Sequence, residues 1–366
     1  MSDRIVRIAA KGDGLTESGR HVTGTVPGDI VAKDGTITPG PHHVDPPCRH
    51  FPQCGGCELQ QADDAALAQF VSERVTFAAD SQGIVPEKLA APHLSPPRTR
   101  RRATRHARRA GAKTVIGFRE AGSHTIVDMT ECHILAPKLF ALVEPLRVLL
   151  GKWAGKLAAD IQLTLLDNGV AADIKRIAPD GLEQTEALLD FARNNALARL
   201  SIDEGFGPEP VWEPEPATVA LGGVPVAFPH GAFLQPTADG EAALLAAAKE
   251  WCAGAKVMAD LFAGLGTFAF ALAGPTKVLA AEADRAAHLA SQMSARASGT
   301  PVHALHRDLF RDPLAADEIS KFDCILLDPP RAGARNQVDE IAKSTVGRVV
   351  YISCNPQSWA RDAKRL

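Results

Sequence analysis

Asp260-Leu261-Phe262-Ala263-Gly264-Leu265-Gly266-Thr267 is the stretch that decides how this chain folds. The residues leading into it, Lys256–Leu261, read as a buried strand, two glycines break the run, and Thr267–Ala273 reads as a helix. A strand that passes through a glycine turn into a helix opens a strand–helix–strand unit, whose crossover returns the next strand parallel to the first. The pattern recurs downstream. Val278–Ala281 and Arg285–Arg296 read as strand and helix, and Val302–Leu305, Cys324–Leu327 and Arg348–Ile352 as further strands. From about residue 217 the chain is therefore expected to form a mostly parallel sheet with helices on both faces. In open sheets of this kind ligands bind beyond the carboxyl ends of the strands.

Residues suited to chemistry collect at those ends. Gly264 and Gly266 allow the backbone to approach a ligand closely. The third glycine of the dinucleotide fingerprint is absent, because Phe268 and Ala269 follow Thr267, and this disfavours NAD. Glu282 ends the next strand, where an acidic residue accepts hydrogen bonds from ribose hydroxyls. Asp308, after the third strand, is placed for an adenine amine. S-adenosylmethionine has a ribose and an adenine but no pyrophosphate, so it fits this pattern better than NAD. Cys324–Leu327 runs into Asp328-Pro329-Pro330-Arg331, and Val349-Val350-Tyr351-Ile352 runs into Ser353-Cys354-Asn355-Pro356. A carboxylate and a thiol thus stand at the ends of neighbouring strands. Cys354 lies past its strand between polar residues, a setting that favours the reactive thiolate. Cys252 and Cys324 lack that context, and Cys324, inside a strand, is expected in the core.

The rest of the chain bounds the setting. A length of 366 residues calls for two or three domains, and 45% apolar with 23% charged residues is a soluble globular composition. No apolar stretch is long enough to span a bilayer. Met1-Ser2-Asp3-Arg4 does not open a signal peptide, so a cytoplasmic location is expected. There, seven cysteines argue for metal or catalysis rather than a disulfide framework. Residues 1–45 carry short alternating runs punctuated by glycine and suit an OB-like barrel. Pro39–His43 reads as a linker, residues 59–80 as a helix, and Arg101–Arg108, Thr114–Arg119 and Thr125–Asp128 as strands. Pro208, Pro210, Pro214 and Pro216 mark a boundary. The expected domains are 1–45, 46–216 and 217–366.

The net charge is −3, yet Arg98, Arg100, Arg101, Arg102, Arg105, Arg108 and Arg109 form a dense basic strip. Such a strip on a near-neutral protein suits a polyanion at one face. Cys48-x5-Cys54-x2-Cys57, with Cys132 further on, supplies four thiolates that could close a tetrahedral site. Zinc and an iron–sulfur cluster both match that ligand count.

Taken together, the barrel, the four cysteines and the runs DLFAGLGTF, DPPRAG and YISCNP resemble the RNA uracil-5-methyltransferase family, in particular its iron–sulfur-containing 23S ribosomal RNA branch. The resemblance covers nearly the whole chain. It implies an α/β class I (Rossmann-like) methyltransferase domain, an N-terminal TRAM-type OB-like barrel and a central α+β iron–sulfur domain. It implies a [4Fe–4S] cluster on Cys48, Cys54, Cys57 and Cys132. It implies S-adenosylmethionine contacts from Gln235, Phe262, Thr267, Glu282, Asp308 and Asp328, with Cys354 as the nucleophile that adds to C6 of uracil. The implied activity is C5 methylation of 23S rRNA by a cytoplasmic monomer away from membranes. The family often has Asn where this chain has Thr267 and Cys where it has Ala263. Its members continue past the helix after Pro356 and carry their proton-abstracting glutamate there. No residue up to Leu366 matches that glutamate, so binding and adduct formation are expected to survive more readily than turnover. Three other readings stay open: a catalytically impaired RNA-binding protein, a tRNA uracil-5-methyltransferase, and an exocyclic-amine methyltransferase.

Overall fold

In the computed structural model of the chain, residues 2–153 and 155–366 are described. Five short strands come first: β1 Asp3–Ile8, β2 Gly14–Thr16, β3 His21–Val22, β4 Ile30–Val31 and β5 Ile37–Thr38. They pair antiparallel in the order β3-β2-β1-β4-β5, with Ile5, Ile8 and Val31 turned inward. Pro39–His43, expected as a linker, is instead fastened to this sheet. The Gly40 amide donates to Asp29 Oδ1 at 2.7 Å, and His43 Nδ1 lies 2.8 Å from Asp29 Oδ2. A side chain on Gly40 would put its Cβ 2.5 Å from the Gly28 carbonyl oxygen, so only glycine allows this approach. Helix α1 spans Asp64–Asp80 and starts later than the apolar spacing suggests. Asp63 is the reason: its carboxylate accepts the Ala66 amide at 2.8 Å and so caps the first turn.

A six-stranded mixed sheet follows. It is built from β6 Arg102–Ala110, β7 Lys113–Gly117, β8 Ala158–Leu166, β9 Gly169–Lys175, β10 Leu197–Asp203 and β11 Pro208–Trp212, in the order β11-β10-β9-β8-β6-β7. Helices α2 Pro137–Phe140, α3 Val143–Gly151 and α4 Gly181–Asn194 accompany it. Leu139, Leu146, Leu150, Ile161, Leu163, Ile174 and Leu188 share its apolar core. Thr125–Asp128 does not form the expected strand and makes a single bridge, Ile126 to Arg119. The Asp128 carboxylate accepts the Ile116 amide, taking a donor that a continuous ladder would need. Pro208 and Pro210 lie within β11, an edge strand, where a missing amide is tolerated. The residues up to 75, with 88–165 and 170–213, form one compact unit.

The second unit comprises residues 76–87, 166–169 and 214–366. It opens with a hairpin, β12 Thr218–Leu221 and β13 Val224–Ala227, followed by α5 Ala238–Trp251. The strand–helix alternation then runs β14 Val257–Leu261, α6 Thr267–Leu272, β15 Lys277–Glu282, α7 Arg285–Ser298, β16 Val302–His306, α8 Ala316–Ile319, β17 Cys324–Leu327, α9 Arg335–Ile341, β18 Val349–Tyr351 and α10 Pro356–Ala363. All five strands are parallel, in the order β16-β15-β14-β17-β18. Every residue of β17 is buried, as its unbroken apolar run requires of a strand covered on both faces. The caps are local chemistry. Asp284 accepts the Ala287 amide at the start of α7, Gly299 closes that helix at φ 66°, and Asn355 accepts the Gln357 amide ahead of Pro356 in α10.

Candidate active site

The register of the parallel sheet creates the site. Leu261 pairs with Ala281 on one side and with Leu327 on the other, and Leu327 pairs with Tyr351. The strands therefore end in line, and Phe262, Glu282, Asp328 and Ile352 emerge along one edge. The chain leaves β14 for β15 and β16 on one side, then returns to β17 on the other. That reversal is a topological switch point, where α/β sheets open a crevice for a ligand.

On the β14 side the backbone turns sharply. Phe262, Gly264 and Gly266 have φ of 63°, 57° and 91°. A Cβ at Gly264 would meet open space, whereas at Gly266 it would lie 2.9 Å from the Phe270 ring. Gly264 thus leaves room on the ligand side, and Gly266 lets α6 pack. Glu282 braces the turn: one carboxylate oxygen accepts the Gly264 amide at 2.8 Å and the other accepts the Asp284 amide at 2.6 Å. Phe262 faces Phe310 with ring centroids 5.3 Å apart. Asp308 lies just past β16, accepts the Phe310 amide at 3.0 Å and sits 3.4 Å from the Arg311 guanidinium. Thr267 is the half-buried first residue of α6. Gln235 is also half-buried, in the loop between β13 and α5 beside the buried Leu234.

The sequence reading passed over Asp260. This residue is fully buried in β14; Oδ2 accepts the Ala269 amide at 2.9 Å, and Oδ1 has no partner. Burial, with Asp328 and Glu282 nearby, pushes its carboxyl far above the usual range. Burial also raises Asp328, to about 6. The edge therefore gathers acidic groups in a poorly solvated place, an arrangement that favours a cationic ligand.

On the β18 side Cys354 is exposed, and among the described residues the other six cysteines are not. Two of them, Cys252 and Cys324, are buried with sulfurs 3.7 Å apart, as expected of core cysteines. The Cys354 turn is held from both flanks. Ser353 Oγ accepts the Asn355 amide at 3.1 Å, and Asn355 Nδ2 donates to the Arg331 carbonyl at 2.9 Å. A second fastening comes from Asp362, which the sequence reading also missed. Its buried carboxylate accepts the Ala334 amide at 2.7 Å and the Tyr351 hydroxyl at 2.8 Å, and Arg361 pairs with it at 3.0 Å. Arg361 also donates to the Ala332 carbonyl at 2.7 Å. Gly333, at φ 86°, wraps so closely that a Cβ would lie 2.3 Å from Asp362 Oδ2. The loop after β17 and the turn after β18 are thus one clasped assembly.

In the first unit, Cys48, Cys54, Cys57 and Cys132 line one cavity together with His50, Phe51, Gln60, Phe118, Val127, Met129, Glu131 and His133. Burial raises the thiols of Cys54 and Cys57, the latter to about 11. Among the described residues, no three His, Cys, Asp or Glu side chains are gathered to hold a metal ion. The arginine strip is thinner than its sequence implies. Arg98, Arg100 and Arg108 are exposed, but Arg105 is fully buried and cannot meet a polyanion. Arg109 is committed to the carbonyls of Gly151 and Trp153 and to Thr114.

A parallel sheet in this order, with a glycine turn after β14 and an acidic residue ending β15, defines a class I methyltransferase fold. The sequence model of the tRNA (Uracil-5-)-methyltransferase family matches residues 223–366. An uncharacterised RNA methyltransferase of Zymomonas mobilis is 46% identical over 364 residues, covering 99% of this chain and 92% of its own. The 23S rRNA (uracil(1939)-C(5))-methyltransferase of Pectobacterium atrosepticum is 30% identical over 353 residues, covering 90% of this chain and 75% of its own. The crystal structure of Pyrococcus abyssi tRNA (uracil-54, C5)-methyltransferase with S-adenosyl-L-homocysteine superposes with a TM-score of 0.76 at 20% identity, over 99% of this chain and 92% of that one. The chain belongs to the RNA uracil-5-methyltransferase family. Among the described residues no helix is long and apolar enough to cross a membrane.

Proposed function

We propose that this protein methylates C5 of uracil in 23S rRNA, using S-adenosylmethionine and a transient bond from Cys354 to C6 of the base. The observation that carries this reading is the exposed Cys354 on a turn tied through Asn355 to the loop that bears Asp328. Bound S-adenosylmethionine supplies an electrophilic methyl group. The open face of Gly264 and the acidic edge of Asp260, Glu282 and Asp328 suit a cationic ligand, with Gln235, Phe262, Thr267 and Asp308 as the further contacts. Cys354 adds as a thiolate to C6 and pushes electron density onto C5, which is otherwise too poor a nucleophile. Loss of the C5 proton then expels the thiolate. The target base must leave its stack to reach the edge, as bases in RNA loops or flipped bases do.

The four cysteines are read as the ligands of a [4Fe–4S] cluster. An all-thiol set lining one cavity, yet not gathered around a single ion, suits a cluster in which each thiolate binds its own iron. Residues 1–45 serve as a TRAM-type RNA-binding barrel, residues 46–216 as the cluster domain and residues 217–366 as the methyltransferase. The protein acts as a monomer in the cytoplasm. The test is mass spectrometry of unmodified 23S rRNA and, separately, unmodified tRNA after incubation with the protein and S-adenosylmethionine. 5-Methyluridine in the ribosomal RNA alone supports the proposal. The same product in tRNA alone moves the protein to the tRNA branch. Binding of both RNAs without product marks it as an RNA-binding protein.

A further inference from the structure

Arg105 is the least expected side chain in the first unit. It lies on β6, whose inward positions are Ala103, Arg105 and Ala107, at 7%, 0% and 1% exposure. A pleated strand turns alternate residues to one face, so Arg105 occupies a core position with a small residue on either side. Its Nη2 donates to the Leu139 carbonyl at 3.1 Å, while Nε and Nη1 have no partner. Among the described residues no carboxylate pairs with it; the acidic group acting on its charge is Cys132. A buried cation with idle donors is among the most costly features a core can carry, and removing its partner group is what makes it costly. An aliphatic residue would fill the same space between the two alanines without that penalty. The guanidinium therefore calls for a negative group on the Cys132 side.

We infer that Arg105 is the buried counter-charge of an iron–sulfur cluster on Cys48, Cys54, Cys57 and Cys132, with Nε and Nη1 supplying N–H donors toward its sulfurs. This inference rests on the cluster reading above. Four thiolates around a [4Fe–4S] core carry net negative charge, and one-electron reduction adds another unit. A fixed cation beside them holds the ligands deprotonated and stabilises the reduced form, which raises the reduction potential. Arg105 is a positioning and tuning residue here, because it acts on the cluster and not on the reacting base.

The test compares the full-length wild type with Arg105→Met and Arg105→Lys, each reconstituted anaerobically with iron and sulfide. Iron per chain, iron loss to a chelator, the midpoint potential and the thermal melting of the iron-free forms are measured. The expected result is that Arg105→Met loses iron about 10-fold faster or more, the scale on which groups supporting metal ligands act. Its potential falls, and Arg105→Lys recovers part of both losses. The iron-free Arg105→Met protein melts at or above the wild type, because the idle donors are gone. A merely structural arginine would not give opposite signs with and without the cluster. Arg105→Met protein that keeps iron as long as wild type at an unchanged potential overturns the inference, as does an iron-free form that melts well below wild type. A wild type that takes up no iron, or only zinc, overturns the cluster reading itself, and the variants are not needed to see it.

Discussion

Cys354 and Asp328 carry the chemistry at the residue scale, and each makes a separate prediction. If the thiolate is the nucleophile, Cys354→Ala lowers turnover by on the order of 10³-fold or more, the scale of losing a group that forms a covalent intermediate. RNA containing 5-fluorouracil should become covalently attached to the wild type and not to Cys354→Ala. Attachment to both proteins in denaturing gels would remove Cys354 from the mechanism. Asp328 predicts a pH dependence. Burial raises its carboxyl to about 6, so its contribution to folding stability is present below its ordinary value and is lost as pH rises through about 6. A ligand that needs the carboxylate shows the opposite sense. Affinity for S-adenosylhomocysteine should fall as pH drops below about 6, approaching tenfold per unit. Calorimetry on Asp328→Asn should show that limb flattened, and an unaltered limb would mean another group titrates. Cys354 was legible as a thiol past a strand end. Asp260 was not, because a single acid within an apolar strand carries no sign of which of its oxygens will find a partner.

The element scale is governed by how loops are fastened. Asp362→Ala leaves the Ala334 amide, the Tyr351 hydroxyl and Arg361 without their acceptor, and should cost about 3 kcal/mol of stability in chemical denaturation. Asp362→Asn keeps an acceptor oxygen and should lose less. Its turnover should still fall while the KM for RNA changes little, since it alters where Cys354 sits and not the RNA surface. A variant with wild-type turnover would show that the clasp does not position the nucleophile. The strands of the second unit were legible almost to the residue. Cys324–Leu327 is an unbroken apolar run closed by Asp323 and Asp328, and no other local structure suits it. What sequence hid were elements ended or bound by side chains. Asp63 delays α1, Asp128 interrupts the ladder that Thr125–Asp128 would have joined, and Asp29 pins Pro39–His43. In each case a carboxylate takes a backbone donor, and the hydrophobic pattern has no means of recording that.

For the whole molecule, charge is the property that counts. With a net charge of −3, RNA binding must come from local basic groups rather than overall attraction. The structure leaves Arg98, Arg100 and Arg108 exposed on the strip. Replacing all three by Ala should weaken RNA binding and reduce the slope of log K against log salt by about 2, at roughly 0.7 per phosphate contact on single strands. Replacing Arg109, whose donors serve carbonyls within the fold, should lower stability and leave that slope alone. Equal slopes for the triple variant and the wild type in filter binding would place the RNA elsewhere. The count of arginines was readable from sequence, but their division into outward, structural and buried members depended on strand phase.

The clasp around Asp362 also bears on portability. Its partners come from three places in the chain: the loop at Ala332–Ala334, Tyr351 at the end of β18, and Arg361 beside it in α10. A designer who moved the DPPRAG loop or the cysteine turn into another methyltransferase scaffold would transplant half of a fitting. The smallest unit that can be exchanged runs from Cys324 through Ala363, since only that length carries the carboxylate, the glycine that wraps it and the thiol they jointly hold.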